Sequence, residues 1–362
     1  MTILSIVGAR PNFMKVAPLH RAFHQSGCTS RIVHTGQHYD ARMSDVFFNQ
    51  LGLPQPHYYL GVVSGSHTRQ TADIMTKFED VLLAERPDWV MVVGDVTSTL
   101  ACALVAVRHG VRVAHVEAGL RSGDRRMPEE INRILTDSLS DKLFVTEQAG
   151  LDNLRREGVP DEKIHFVGNV MIDALMHYRA QATTLNTVGA LGLSAKQYVL
   201  MTMHRPSNVD VPDGLRAIVQ IVADTARQQP VVLPLHPRTA ANLTRFGLME
   251  RLAALPNVRL LDPQGYLEFL NLMEHAIAVV TDSGGIQEET TYLQVPCLTF
   301  RDSTERPCTV TLGTNTLLAD LNPATVQQHI AGILNGHSKP GQIPPLWDGT
   351  AARRIAAALT AG

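Results

Sequence analysis

The sequence predicts an α/β protein made of two doubly wound parallel sheets, and three observations carry that expectation. Short β-branched or aliphatic runs alternate with longer helical patterns from the first residues onward, the signature of βα units. A second series of the same plan begins near residue 198. At roughly 150 residues per domain, a chain of 362 residues suits two domains better than one core.

In the first series, strands are expected at residues 3–7, 30–35, 89–93, 112–116 and 142–145. Helices are expected between them. Residues 15–24 and 71–85 are amphipathic, 100–109 is Ala-rich and apolar, and 129–140 follows Pro128 at a favourable first-turn position. The second series places strands near residues 198–202, 230–234, 258–260, 278–281 and 297–300. Residues 176–193 carry small polar residues and no strand pattern, so the linker or boundary is expected between Val170 and Lys196. A Pro/Gly-rich tail, 340–347, leads into a helical 350–360 that would return to the first domain. The expected division is residues 1–170 plus 348–362 for one Rossmann-like domain and residues 171–347 for the other. Two such domains facing each other would put ligand chemistry in the cleft between them, at the carboxyl ends of both sheets.

Composition excludes several classes. Lys+Arg 32 against Asp+Glu 34 gives a net charge of −2. Cutting after residue 170 leaves 18 basic and 19 acidic residues before the cut and 14 and 15 after it, so neither half is a basic nucleic-acid module. Aromatics at 5% make base-stacking platforms improbable. Four cysteines, Cys28, Cys102, Cys297 and Cys308, lack CxxC spacing, which fits a reducing compartment. The N-terminus does not read as a signal peptide, and no apolar run reaches the roughly 18 residues that cross a bilayer. A cytoplasmic protein with neither nucleic acid nor membrane as partner is expected. Among 15 histidines there is no HExxH or HxH pair, so no metal site is indicated.

Two glycine turns and several charged residues remain as candidate chemistry. Gly8-Ala9-Arg10-Pro11 follows a strand and precedes a helix, where backbone N–H groups, Arg10 and Lys15 suit an anion or, equally, an ordinary βα turn with two surface cations. Since the turn is neither GxGxxG nor a P-loop, a dinucleotide-dependent dehydrogenase loses its main support. Asp282-Ser283-Gly284-Gly285 also follows a strand; the glycine pair lets a phosphate approach, Ser283 can donate to it, and an acidic residue one turn on can accept from ribose hydroxyls. Asp95, Glu117 and Glu129 stand on cleft-side loops, the first two directly after buried-looking strands, where partial desolvation suits carboxylates to proton transfer. Taken singly, a capping Asp95 and a salt-bridged Glu117 would be the commoner outcome. Three together favour function. His204 and His236 each end a second-domain strand with arginine close behind, Arg205 and Arg238, an arrangement that suits a pyrophosphate. Cys308 lacks the partners of a nucleophile.

Placed together, GARPNFMKVAP (8–18), TGQHY (35–39), GDVTST (94–99), HVEAGLRSGD (115–124), PEEINR (128–133), GNVMID (168–173), His204-Arg205, TDSGGIQEE (281–289) and RDSTERP (301–307) occur in the order and spacing of the non-hydrolysing UDP-N-acetylglucosamine 2-epimerases. The resemblance covers nearly the whole chain. It implies two facing Rossmann-like domains similar to the GT-B glycosyltransferases, with the active site in the interdomain cleft and a homodimer in solution. It also implies inversion of C2 of UDP-GlcNAc to give UDP-ManNAc, by anti elimination of UDP to a 2-acetamidoglucal and re-addition, with no redox cofactor or metal. In this reading Asp95, Glu117 and Glu129 are acid/base carboxylates and His204 is the catalytic histidine near the phosphates. Arg10, Arg205, His236, Ser283, Gly284, Gly285 and Arg306 hold the pyrophosphate and neighbouring groups, Glu289 the ribose, and Lys15 lies near the sugar. Gln37, His38 and Gln70 mark the family's regulatory UDP-GlcNAc site. Two departures, a PEE segment two residues sooner after HVEAGLRSGD than in the best-known bacterial forms and Cys308 where those have glutamate, resemble another branch of the family. Relatives of this frame also epimerise UDP-2,3-diacetamido sugar acids. A GT-B glycosyltransferase would share the second-domain nucleotide site without needing the three carboxylates together, and a catalytically silent nucleotide-sugar sensor would not need them at all.

Overall fold

The computed structural model describes residues 1–36, 52–63 and 65–361, and it divides into two compact units. The first comprises Met1–His177 with Pro345–Gly362, and the second Tyr178–Pro344. The division falls inside the helix Val170–Leu185.

The first unit holds β1 (Thr2–Val7), β2 (Thr29–His34), β3 (Tyr58–Tyr59), β4 (Trp89–Val93), β5 (Arg112–Ala118), β6 (Lys142–Val145) and β7 (Ile164–Phe166). Among the described residues these form one sheet in the order β3-β2-β1-β4-β5-β6-β7, with every pairing parallel. Strands covered on both faces read as unbroken apolar runs, which is why Trp89–Val93 is buried at every position. Leu4, Ile6, Val33, Val90 and Val92 pack against Ile74, Phe78 and Leu82 of the helix His67–Glu85 and against Ala101, Cys102 and Val105 of the helix Thr97–Arg108. Each such aliphatic side chain contributes about 1.5–3 kcal/mol when fully buried.

The C-terminal tail belongs to this unit for identifiable reasons. Asp173 accepts from the Ala351 and Ala352 amides at 3.1 and 2.7 Å, capping the first turn of the helix Ala351–Thr360. Trp347 Nε1 donates to the Thr146 carbonyl at 2.9 Å. Gly168 has φ 86, and a Cβ there would lie 2.0 Å from the Leu346 carbonyl oxygen, so only glycine lets the tail pass. The GNVMID segment thus anchors the tail.

The second unit holds β8 (Val199–Thr202), β9 (Val231–Pro234), β10 (Val258–Leu261), β11 (Ala278–Thr281), β12 (Cys297–Phe300) and β13 (Asn315–Leu318), in the order β10-β9-β8-β11-β12-β13 and again all parallel. Val199, Met201, Val231, Leu233, Val280 and Leu298 form its core with Leu215, Val219 and Val222 of the helix Pro212–Ala226 and Val326 and Ile330 of the helix Pro323–Leu334. In each sheet the strand order reverses once, between β1 and β4 and between β8 and β11. Ligands of doubly wound sheets bind beyond the carboxyl ends at such a switch point.

The structure differs from the sequence expectations in local ways. β3, β7 and β13 were not expected: β3 and β7 are edge strands of two and three residues, too short and too exposed for an apolar run, and β13 opens on the polar Asn315. Residues 176–193, within the stretch 170–196 where the linker or boundary is expected and where the units divide, are largely helical, in Val170–Leu185 and Thr187–Ala190, with Asn186 at φ 49 turning between them. There the Ala, Leu, Met and Gln of VMIDALMHYRAQATTL outweigh its small polar residues. Glu117, expected just after a strand, lies inside β5 at a register shift between Val116 and Ala118.

Candidate active site

The first unit's switch point is pinned by Asn12. It stands in the first turn of the helix Arg10–Gln25, whose opening residues Arg10 and Pro11 continue directly from Gly8 and Ala9. Its Oδ1 accepts from the Gly8 and Ala9 amides at 3.1 and 3.0 Å, and its Nδ2 donates to the Val93 carbonyl at 3.1 Å, tying the end of β1 to the end of β4. One turn on, Lys15 is buried and ion-paired with Glu117. Glu117 is 4% exposed and has φ 75, a left-handed backbone that costs a non-glycine residue on the order of 1–3 kcal/mol. A bulge aims its side chain off the ladder. Gly94 makes room for the pair: a Cβ at this residue would lie 3.1 Å from Lys15 Nζ and 3.5 Å from Glu117 Oε2, and its φ of 68 favours glycine as well.

Asp95 follows Gly94. Its Oδ2 accepts from Arg133 Nε and Nη2 at 3.0 and 2.7 Å, and its carbonyl from Asn132 Nδ2 at 2.8 Å. It therefore does not cap the next helix, whose N-cap is Val96. Arg133 also donates to Glu130 at 2.6 Å. Adjacent glutamates have opposite environments here. Glu130 is buried and accepts from the Ser122 amide and hydroxyl and the Gly123 amide at 2.9, 3.1 and 2.9 Å; burial would raise its carboxyl, but these donors and Arg133 hold it below the usual value. Glu129, half-buried on the first turn of the helix Pro128–Leu139, forms no ion pair with the described residues. The fold thus gathers Lys15, Glu117 and Asp95 at one switch point and places Glu129 on the helix that holds Asp95.

In the second unit Asp282 is the corresponding pin. It is fully buried and accepts from the His204 amide at 3.1 and 3.0 Å, the Arg205 amide at 2.9 Å and Asn208 Nδ2 at 3.0 Å. His204 Nδ1 lies 2.9 Å from its Oδ1. Burial alone would raise the Asp282 carboxyl; the His204 contact and the amide donors outweigh it and hold it below the ordinary value. His236 caps the helix Pro237–Arg245, its Nδ1 accepting from the Arg238 amide at 3.2 Å, and its ring lies 5.5 Å from the His204 ring. Ser283 precedes the helix Gly284–Leu293, and first-turn N–H groups with the helix dipole are the features that suit an anion at such a terminus. Beside Gly285 a Cβ would meet only open space, so a ligand can approach that backbone. Gly284 is crowded from beneath: a Cβ would lie 3.2 Å from Arg306 Nη1 and 3.2 Å from Glu305 Oε1. Arg306 ion-pairs with Glu288 at 2.9 Å and with Glu305, and Arg301 with Glu305 at 2.8 Å, so in this structure the arginine charges lie against buried glutamates under the loop.

Glu289 accepts from the Tyr266 hydroxyl at 3.0 Å, and burial pushes its carboxyl up to about 7, with Tyr266 opposing and the Glu288 charge adding. For a carboxyl raised in the folded state, the unfolded chain loses its proton first as pH rises. Stability therefore falls from the unfolded value near 4.5 up to about 7 and is flat above. Glu289→Gln is expected to raise the melting temperature at pH 8 and to leave it unchanged at pH 4.5, read by calorimetry; equal shifts at both values would refute the assignment.

Gln70, on the first turn of the helix His67–Glu85, lines a cavity of about 510 Å³ with Val63, Ser66, Arg69 and Asp73. Gln37 and His38 lie outside the described residues. Among the described residues no three His, Cys, Asp or Glu side chains converge as a metal site. The four cysteines are buried free thiols, and no described helix is long and apolar enough to cross a membrane.

The family model of the UDP-N-acetylglucosamine 2-epimerases matches residues 21–360. The chain belongs to that family. The UDP-N-acetylglucosamine 2-epimerase of Methanocaldococcus jannaschii is 41% identical over 367 residues, covering 100% of both chains. Its crystal structure in complex with UDP-GlcNAc and UDP superposes with a TM-score of 0.91. The UDP-2,3-diacetamido-2,3-dideoxy-D-glucuronate 2-epimerase of Pseudomonas aeruginosa is 42% identical over 361 residues, 98% of each chain. A glycosyltransferase of Rickettsia africae, 11% identical with a TM-score of 0.58 over 99% of this chain and 91% of its own, shares the fold alone.

Within this 2-epimerase frame, sequence reasoning passed over the residues that hold the candidates in place: Asn12, Arg133, Asp137 and Asp282. A signal was present for Asp282, a charge directly after the apolar run 278–281, and for His115, set between the aliphatic Ala114 and Val116 of β5.

Proposed function

We propose that the protein interconverts UDP-N-acetylglucosamine and UDP-N-acetylmannosamine by inversion at C2. In the forward direction a base takes the C2 proton while the C1–O bond to UDP breaks anti to it, leaving 2-acetamidoglucal and UDP. UDP oxygen then re-forms the bond to C1 and a proton returns to C2 from the opposite face. The chemistry asks for carboxylates able to take and give protons, and for positive groups where the diphosphate charge develops. The observation that carries the reading is Glu117, buried, conformationally strained and ion-paired to Lys15 beside Gly94-Asp95 at a switch point. Asp95 and Glu129 supply further carboxylates. His204, with Nδ1 committed to Asp282, offers Nε2 to the diphosphate, assisted by Arg205, His236 and the amides after Ser283. Glu289 takes the ribose, and Arg10 joins the phosphate ligands.

The test is incubation with UDP-GlcNAc in D2O followed by NMR of the sugar nucleotide. UDP-ManNAc carrying deuterium at C2 is expected; free ManNAc with UDP, or no turnover, overturns the reading. A second substrate is favoured by the 42% identity to the Pseudomonas aeruginosa enzyme. Preferential turnover of a UDP-2,3-diacetamido sugar acid in the same assay would select it.

A further inference from the structure

We infer that Asp137 is a positioning residue that sets the turns of two proposed catalytic carboxylates, Asp95 and Glu117, at once. The inference rests on the reaction proposed above. Asp137 lies on the helix Pro128–Leu139, buried, and outside every group assigned to substrate. Its Oδ2 accepts from the Gly119 amide at 3.0 Å and pairs with Arg121 at 2.8 Å. Its Oδ1 faces His115 Nδ1 at 2.6 Å, and the far nitrogen of that ring, Nε2, faces the Gly94 carbonyl at 2.8 Å. A carbonyl only accepts, so Nε2 donates to it. One arm of Asp137 therefore holds the backbone two residues after Glu117, and the other, through a single imidazole, holds the residue before Asp95.

Both turns need holding. Gly94, Glu117 and Gly119 all have left-handed backbones, at φ 68, 75 and 80. Such conformations persist where the surroundings over-determine them. His115 is fully buried, so no solvent replaces a lost partner. Burial alone would raise the Asp137 carboxyl, but the adjoining His115 and Arg121 outweigh it and hold it below the ordinary value, the behaviour of a charge solvated entirely by these partners. Arg121 closes the network outward, reaching Glu157 at 2.6 Å.

The test is Asp137→Asn, which keeps the volume, removes the charge that faces His115 and Arg121, and replaces one of the two acceptor oxygens by an NH2. The crystal structure of the variant is expected to show the Asp95 and Glu117 carboxylates displaced by about 1 Å, with kcat down about a hundredfold and KM and the UDP Kd within about threefold. Glu157→Gln, which loosens only the outer partner of Arg121, is the control and is expected to leave kcat unchanged. Should Asp137→Asn fail to fold, His115→Gln severs the Gly94 arm while leaving Asp137 with Gly119 and Arg121. That variant is expected to move Asp95 and to spare Glu117. Unmoved carboxylates overturn the inference, as does a kcat within about threefold of wild type. A wild-type protein inactive on UDP-GlcNAc would instead refute the proposed reaction, and the crystallographic comparison alone would then decide the role of Asp137.

Discussion

Glu117→Gln is expected to abolish exchange of the C2 hydrogen with solvent deuterium while UDP binding persists. Gln has the size of Glu but is no base, and a positioned acid or base is worth about 10²–10⁴ in rate. The upper part of that range is expected here, because the side chain sits in a bulge whose backbone is already strained toward one orientation and no other oxygen of β5 stands in its place. Apart from Arg10, the groups assigned to UDP, among them His204, Ser283 to Gly285 and Glu289, belong to the second unit. The UDP Kd, measured by calorimetry, should therefore stay within about threefold, a change under about 1 kcal/mol. C2 exchange at the wild-type rate would sink the assignment.

The same substitution has a stability cost that can be separated from the catalytic one. Lys15 would be left buried against a neutral amide, and removing one partner of a buried ion pair destabilises by about 3–5 kcal/mol. Changing Lys15 to Met as well removes the orphaned charge. The double variant should recover much of the lost melting temperature and none of the exchange. A protein that regained exchange would show that the lost activity of the single variant was a folding defect.

The layout of both sheets was legible because parallel strands covered on both faces are apolar runs with nothing to imitate them: Trp89–Val93 and Ala278–Thr281 are buried at every residue. The edge strands Tyr58–Tyr59 and Ile164–Phe166 were not, since an edge of two or three half-exposed residues has no periodicity to detect. The candidate site divides in a similar way. The groups proposed to face the ligand were visible as charged or glycine residues directly after strands. Those that brace them were not: Arg133 and Asp137 lie on a helix whose sequence reads as an ordinary amphipathic surface, and only the fold carries their side chains inward to Asp95, Gly119 and His115. Arg306 is the converse case. The family resemblance set it among the groups that hold the pyrophosphate, and tertiary structure has paired it with Glu288 and Glu305.

Asp282→Asn is expected to lower kcat by about 10²–10³, with a weaker UDP complex as well. The carboxylate has both oxygens occupied by donors: the His204 and Arg205 amides, Asn208 Nδ2 and the His204 ring. Asparagine offers one acceptor oxygen and one NH2, so at least one of these donors would face another donor around a side chain that itself has no solvent access. The ring of His204 loses the partner that fixes which nitrogen it presents, and a mis-set imidazole next to an anion is known chemistry for large rate losses, up to about 10⁴. Because the folded Asp282 carboxyl titrates below its unfolded value of 3.8, its network contributes stability above that pH and loses it as pH falls through the folded value. Wild type should therefore be more acid-sensitive than the variant, even though it is the more stable of the two at neutral pH. The pH dependence of kcat separates orientation from mere destabilisation. If Asp282 sets the histidine, the pH profile of kcat changes shape in the asparagine variant, whereas a protein only less well folded loses amplitude with its profile unmoved.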